Sequence, residues 1–403
     1  MAPPRVLILH PALAPYRVDM FNALARRCSL RLAFLSDKVA NQPFDQERLR
    51  AQLVEPPRYL LRGLDVAGRT IRLGIGKEVR AFRPDVVVTT EFGQATLGVL
   101  ATRRLGGGAR AGGFAHVVST EDNPFSVQAE TWLHGLGRRA LQPRVDCVLT
   151  YSEEARAMYL VRFRATQPVV ASPLVQDERV LEARLEKAGG AARAEAAARG
   201  LLGKRVLLYV GRLAPEKRVD RLIDAVARLR PAWPDLVLAL VGDGPDRARL
   251  ERRAASEAPS HVLFAGRQEG EGLAAWYRLG SVFVLASEHE PFGAVVNEAL
   301  VAGMPVVCSD RAGARTLMVA GRNGVVVDAG RPEALDEALA TWLRRQPPVS
   351  NAQLEARRAS LMETTFDDAV EGYLAAIEAA RGHRRGSSAL APGLEGSSGQ
   401  GSA

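Results

Sequence analysis

Lysine is scarce in this chain, with five against 49 arginines in 403 residues, so a lysine in a loop is conspicuous. Cysteine is scarcer still. Cys28, Cys147 and Cys308 are odd in number and far apart, which excludes a disulfide framework and a CxxC metal site and fits a reducing cytoplasm. Aromatic residues make up 6% of the chain and no stacking motif accompanies the positive charge, so nucleic acid is not an expected partner. HExxH, Asp-x-Asp after a strand and clustered His/Cys are all missing, which leaves no protein-held metal to expect. A GxSxG elbow is missing too. No run of about 18 uncharged apolar residues occurs, and the opening MAPPRVLILHPALAPYR leads straight into a strand pattern instead of a cleavable leader. A cytoplasmic protein without a spanning helix is expected.

What is present is a long, apolar-rich chain with an uneven charge. Hydrophobic residues make up 47% and the formal net charge is +9. Residues 1–150 hold 21 Arg and Lys against 13 Asp and Glu, or +8, and the remainder holds 33 against 32, or +1. Pairs such as Arg26-Arg27, Arg103-Arg104 and Arg138-Arg139 in the first half could attract a phosphate-bearing acceptor or the anionic inner face of a membrane. Such pairs also occur on solvated helix faces that bind nothing.

Short apolar runs alternate with helical patterns throughout, which predicts parallel sheets built from crossover units. The first half offers strands at 6–10, 30–36, 85–90, 109–119, 146–152 and 169–172, and the second at 205–211, 235–242, 261–266, 281–287, 305–309 and 324–328. The expected organisation is a domain over 1–178, a connector over 179–203 and a second domain over 204–350. Helices over 351–381 pack back toward the first domain, and 382–403 form a disordered tail. Two doubly wound domains in sequence place ligands outside the carboxyl ends of their strands.

Two loops carry the chemistry. In SEHEPFGAVVNEALVAGMPVVCSD (287–310), Pro291 and Gly293 break the extended pattern and a helix starts near Ala294. Glu290 precedes the helix and Glu298 lies about one turn inside it. One carboxylate can then meet a sugar ring and the other a ribose, with the helix start favouring an anion between them. In VLLYVGRLAPEKRVDRL (206–222), Arg212 and Lys217 sit on a turn after a strand, where two cations can grip a diphosphate. Lys217 could also simply neutralise Glu216 or Asp220.

Taken together, GRLAPEK (211–217), VGDGP (241–245) and HEPFGAVVNEALVAGMPVVCSDRAG (289–313) resemble the donor-binding half of glycosyltransferase family 4. The resemblance is specific over roughly 206–328 and weaker elsewhere. It implies an α/β GT-B fold, two doubly wound Rossmann-like domains facing across a cleft. It also implies a retaining reaction that needs no metal or other cofactor and uses a nucleotide diphosphate sugar as substrate, a UDP- or GDP-sugar. On this resemblance Arg212 and Lys217 offset charge on the leaving diphosphate, and Glu290, the first glutamate of the EX7E motif, bonds the donor-sugar hydroxyls. Phe292, Gly293 and Gly211 lie close by, and Glu298 holds the ribose. Arg267, in Gly266-Arg267-Gln268, falls where the family meets the base. His116, in GGFAHVVS, falls where related enzymes keep a histidine beside the sugar, although a histidine in an apolar strand is more often a packed core residue.

The first half then selects the acceptor, a glycan, glycolipid or small molecule. Tyr16 and Arg17, in HPALAPYR (10–17), are the natural acceptor contacts. The family commonly has a glycine pair there, whereas this chain has Ala12, Ala14 and Pro15. Glu91 and Glu121 follow later strands and complete the acceptor set. Surface polysaccharide or glycolipid assembly at the inner membrane is the expected setting. Two other classes remain: a nucleotide-sugar epimerase or hydrolase of similar fold, which would act on the donor alone, and a sugar-nucleotide binding protein without turnover. VGDGP lacks the third glycine of a dinucleotide fingerprint, so an oxidoreductase is not expected.

Overall fold

The computed structural model describes residues 2–37, 44–66, 69–105, 113–128, 132–328, 330–356 and 358–389. The chain divides into two units, the first formed by Met1–Thr120, Glu130–Ser172 and Val370–Ala403, the second by Glu121–Ala129 and Pro173–Ala369.

The first unit contains β1 (Arg5–His10), β2 (Ser29–Phe34), β3 (Arg58–Tyr59), β4 (Gly63–Val66), β5 (Arg69–Arg72), β6 (Val86–Thr90), β7 (Ala115–Thr120), β8 (Cys147–Thr150) and β9 (Val169–Ala171). Seven of these form one parallel sheet in the order β3-β2-β1-β6-β7-β8-β9, and β4 and β5 pair with each other as an antiparallel hairpin. The continuous apolar runs Val6–Leu9 and Val86–Val88 are fully buried, as expected for strands covered by helices on both faces. Neither β3 nor the hairpin is expected from the sequence. The strand anticipated over 109–119 starts at Ala115, and residues 106–112 lie outside the described residues.

The second unit holds β10 (Arg205–Val210), β11 (Leu236–Val241), β12 (Val262–Gly266), β13 (Val282–Leu285), β14 (Val306–Ser309) and β15 (Gly324–Val327), all parallel, in the order β12-β11-β10-β13-β14-β15. In each unit the strand order doubles back once, beside β1 and β6 in the first and beside β10 and β13 in the second. The loops leaving these neighbouring strands diverge to opposite faces, which opens a crevice at their carboxyl ends. The loops concerned are 11–17 and 91–93 in the first unit, 211–217 and 286–293 in the second.

The segment expected as a connector is two helices, Glu178–Lys187 and Gly189–Ala198. Ala188, Ala192 and Ala196 are fully buried, and both helices pack on the helix Gly270–Leu279. The last helix, Phe366–Ala389, continues past the Gly382 at which the sequence reading begins its tail. Val370, Tyr373, Ala376, Ile377 and Ala380 are buried at helical spacing, and from Val370 onward the helix belongs to the first unit. Among the described residues no helix is long and apolar enough to cross a membrane.

Candidate functional site

In the second unit the loop after β10 is held by its neighbours. The Tyr209 hydroxyl donates to the Arg212 carbonyl at 2.9 Å. Gly211 N–H donates to the Val241 carbonyl at 3.0 Å and Leu213 N–H to that of Asp243 at 3.0 Å. A Cβ on Gly242 would stand 1.9 Å from the Gly211 carbonyl oxygen, so the glycines of VGDGP exist to let this backbone approach. The chain then turns through Pro215–Lys217. Glu288 N–H donates to the Glu216 carbonyl at 2.9 Å, tying the loop after β10 to the loop after β13.

The result is a strip of alternating charge. Lys217 Nζ is paired with Glu290 Oε2, the two side chains only 16% and 14% exposed. Arg212 is paired with Glu216, and Arg218 donates to Asp220 and Glu288, each at 3.2 Å. Glutamate and cation from separate loops meet here because β10 and β13 are adjacent. Lysine has three donors and arginine five, so both cations keep capacity for a diphosphate beyond their carboxylate partners. Among the described residues no three His, Cys, Asp or Glu gather as a metal site.

Beyond Glu290 the chain is stitched to the segment after β14. Gly313 N–H donates to the Glu290 carbonyl at 3.1 Å and Ala314 N–H to the Phe292 carbonyl at 2.7 Å. Asn123, from the segment 121–129, donates its side-chain amide to the Pro291 carbonyl at 3.2 Å, and Arg311 and Arg315 lie over the Phe125 ring. Phe292 is buried. Gly293 has φ +97°, a backbone that favours glycine. The helix that follows is short, Val295–Val301, and its Val296 N–H already donates to the Gly293 carbonyl at 3.0 Å. One first-turn N–H is thus engaged within the loop, and the cations of the site, Lys217 and Arg212, come from the loop after β10.

Glu298 stands on this helix with both oxygens engaged. Gln176 Nε2 donates to Oε1 at 2.8 Å and the Tyr277 hydroxyl to Oε2 at 2.7 Å. Burial pushes the Glu298 carboxyl above its ordinary value, and the bonds from Gln176 and Tyr277 and the charge of Arg184 pull it back. Gln176 and Tyr277 are absent from the sequence reading, and no motif marks them. They are distant in sequence and meet only through folding. Arg267 follows β12, exposed and donating to Glu269 at 2.9 Å.

Of the residues read as first-domain contacts, Tyr16, Arg17 and Glu91 lie on the loops after the neighbouring strands β1 and β6, and Glu121 and His116 do not. Tyr16 and Arg17 lie on the turn after β1. Arg17 is buried, donates to the Tyr151 hydroxyl at 2.7 Å and stacks on the Tyr151 and Tyr16 rings. Glu91 follows β6 in a left-handed conformation, φ +61°, and accepts from the Thr120 hydroxyl at 2.8 Å. Glu121, read from the sequence as part of the first domain, groups with the second unit.

His116 lies near the amino end of β7 and wholly inside the core. Its backbone N–H donates to Asp146 at 2.8 Å, and Nε2 is hydrogen-bonded to Thr89 Oγ1 at 2.9 Å. Thr89 is bonded to Thr96 at 2.8 Å, and Thr96 donates to the Glu91 carbonyl at 2.6 Å. That last bond fixes the direction of the others, so Thr89 donates to Thr96 and His116 donates from Nε2 to Thr89. Burial, with the nearby Arg103, holds the imidazole down at about 3. His116 is a neutral core residue at the foot of a chain that buttresses the strained backbone of Glu91.

Residues 193–359 match the family model of glycosyl transferases group 1. A GDP-mannose-dependent alpha-mannosyltransferase of Mycobacterium tuberculosis is 39% identical over 183 residues, 45% of each chain. An alpha-D-kanosaminyltransferase of Streptomyces kanamyceticus is 33% identical over 168 residues, 40% of this chain and 44% of the relative. The match spans less than half the length of these curated relatives. Among solved structures, Anabaena HepE in complex with UDP superposes with a TM-score of 0.66 at 18% identity, covering 96% of this chain and 100% of that one. A UDP-forming trehalose-phosphate synthase from Burkholderia xenovorans gives 0.67 at 14% identity, covering 94% and 99%. The chain therefore has the GT-B fold, and its residues 193–359 are similar to the glycosyl transferases group 1 family.

Proposed function

We propose that the protein is a retaining, metal-independent glycosyltransferase that moves a sugar from a nucleotide diphosphate sugar to an acceptor bound by the first unit. The observation that carries this reading is the pairing of Lys217 with Glu290 where the strand order of the second unit reverses. Lys217 and Arg212 would take the diphosphate, and Glu290 the sugar hydroxyls, so that the sugar's reactive carbon lies between cations and carboxylate. As the bond to the leaving phosphate lengthens, negative charge grows on that oxygen and the fixed cations stabilise it more than the ground state. The departing phosphate can itself receive the acceptor's proton, so no protein nucleophile is required.

GDP-mannose is the first donor to test, because relatives in Mycobacterium tuberculosis and Mycolicibacterium smegmatis are named as GDP-mannose-dependent. UDP-sugars come next, since HepE was solved with UDP. The cationic excess of the first half favours a phosphate-bearing or glycolipid acceptor at the inner face of a membrane. Thermal-shift screening with GDP, UDP and their sugars tests the donor, since a ligand that binds only the folded chain raises its melting point with occupancy. The melting point is expected to rise with one base class. No rise with any of them would sink the reading.

A further inference from the structure

We infer that Gln176 and Tyr277 are positioning residues that fix the Glu298 carboxylate to accept both ribose hydroxyls of the nucleotide, an inference that rests on the donor reading above. Each takes one lone pair, Gln176 on Oε1 at 2.8 Å and Tyr277 on Oε2 at 2.7 Å. A carboxylate oxygen can accept two hydrogen bonds, so one acceptor position remains on each oxygen. Two such positions side by side suit a cis-diol. The clamp is itself rigid: Gln176 is buried and its backbone N–H donates to Asn297 Oδ1 at 3.0 Å, while Tyr277 is buried with its ring against Phe283. One donor comes from the stretch before the helix Glu178–Lys187 and the other from the helix Gly270–Leu279, so the carboxylate is held from two elements.

The same donors oppose its protonation. Burial favours the protonated acid, which is a poorer acceptor for the diol. Gln176, Tyr277 and the charge of Arg184 oppose this. Tyr277 is held well above its ordinary value by burial and by Glu298, so it stays a donor across the working range.

The test is calorimetric titration of the full chain with guanosine and uridine diphosphates and their 2′,3′-dideoxy counterparts, between pH 5.5 and 8.5, for wild type, Tyr277→Phe and Gln176→Ala. Loss of a hydrogen bond to a charged group predicts about a tenfold weaker affinity for the ribonucleotide in each variant. In Tyr277→Phe the loss of affinity on acidification should set in at higher pH than in wild type. With dideoxy nucleotides the variants and wild type should bind alike. Wild-type affinity in both variants, or an equal loss with ribose and dideoxyribose, overturns the positioning role while leaving the donor reading intact. If the wild type binds neither ribonucleotide, the donor reading fails and this inference with it.

Discussion

Lys217 and Glu290 each solve the other's burial, which sets the terms of any test by substitution. Lys217→Ala removes the cation that would stabilise the leaving phosphate, and a loss of about 10²–10³ in kcat is expected. It also leaves Glu290 largely buried without its partner, at a cost of about 1–3 kcal/mol in stability. Pairing Lys217→Met with Glu290→Gln removes both charges, so denaturant midpoints should recover toward wild type while turnover stays lost. Recovery of turnover along with stability would show that Lys217 acts only as a structural partner. His116 gives a second test, of pH dependence. Its folded value of about 3 lies below the ordinary 6.5, so below pH 6.5 the unfolded chain binds a proton that the folded chain refuses. Stability is full above pH 6.5 and falls as pH drops toward 3, by up to about 1.4 kcal/mol per pH unit. Urea melts at pH 7.5 and 5.5 should show a smaller acid loss for His116→Gln than for wild type.

At the scale of elements, the site is built from loops braced by other loops. The turn carrying Arg212 rests on the backbone of Gly242 and Gly244, where even a methyl group has no room. Gly242→Ala should therefore cost about 1–3 kcal/mol and displace the Arg212 turn, lowering both the melting temperature and nucleotide affinity. The same substitution at Gly190, a helical position where a Cβ meets nothing within 4 Å, is the control and should leave nucleotide affinity unchanged without lowering the melting temperature. Local motifs were legible here because GRLAPEK and HEPFG are contiguous and follow strands whose apolar runs are unmistakable. Gln176 and Tyr277 were not, since their tie to Glu298 spans 122 and 21 positions of sequence. His116 lies toward the carboxyl end of a strand read over 109–119 but at the amino end of the strand that forms, Ala115–Thr120, because the run of small residues before Ala115 does not mark where pairing begins.

For the whole molecule, the chain leaves the first unit at Ser172 and returns to it at Val370. The returning helix buries Val370, Tyr373 and Ile377, and Glu371 pairs with Arg27 at 2.9 Å. Large apolar side chains contribute about 1.5–3 kcal/mol each on burial, which together rivals the ~5–15 kcal/mol of a typical domain. A chain ended at Ala369 should show a first-unit transition shifted far down or lost in scanning calorimetry. The second-unit transition, identified by its response to added nucleotide, should move little. A single transition moving as one would contradict this division of stability.

By itself the sequence determined the alternation of buried strands and covering helices, and with it the two parallel sheets, because unbroken apolar runs can be satisfied only between helical layers. It also determined which loops carry cation and carboxylate, since those loops are written as continuous motifs. Only the tertiary structure decided which charges meet. Strand order brings the loop after β10 against the loop after β13 and so pairs Lys217 with Glu290, while the packing of the stretch before Glu178 and of the helix Gly270–Leu279 sets Gln176 and Tyr277 on Glu298.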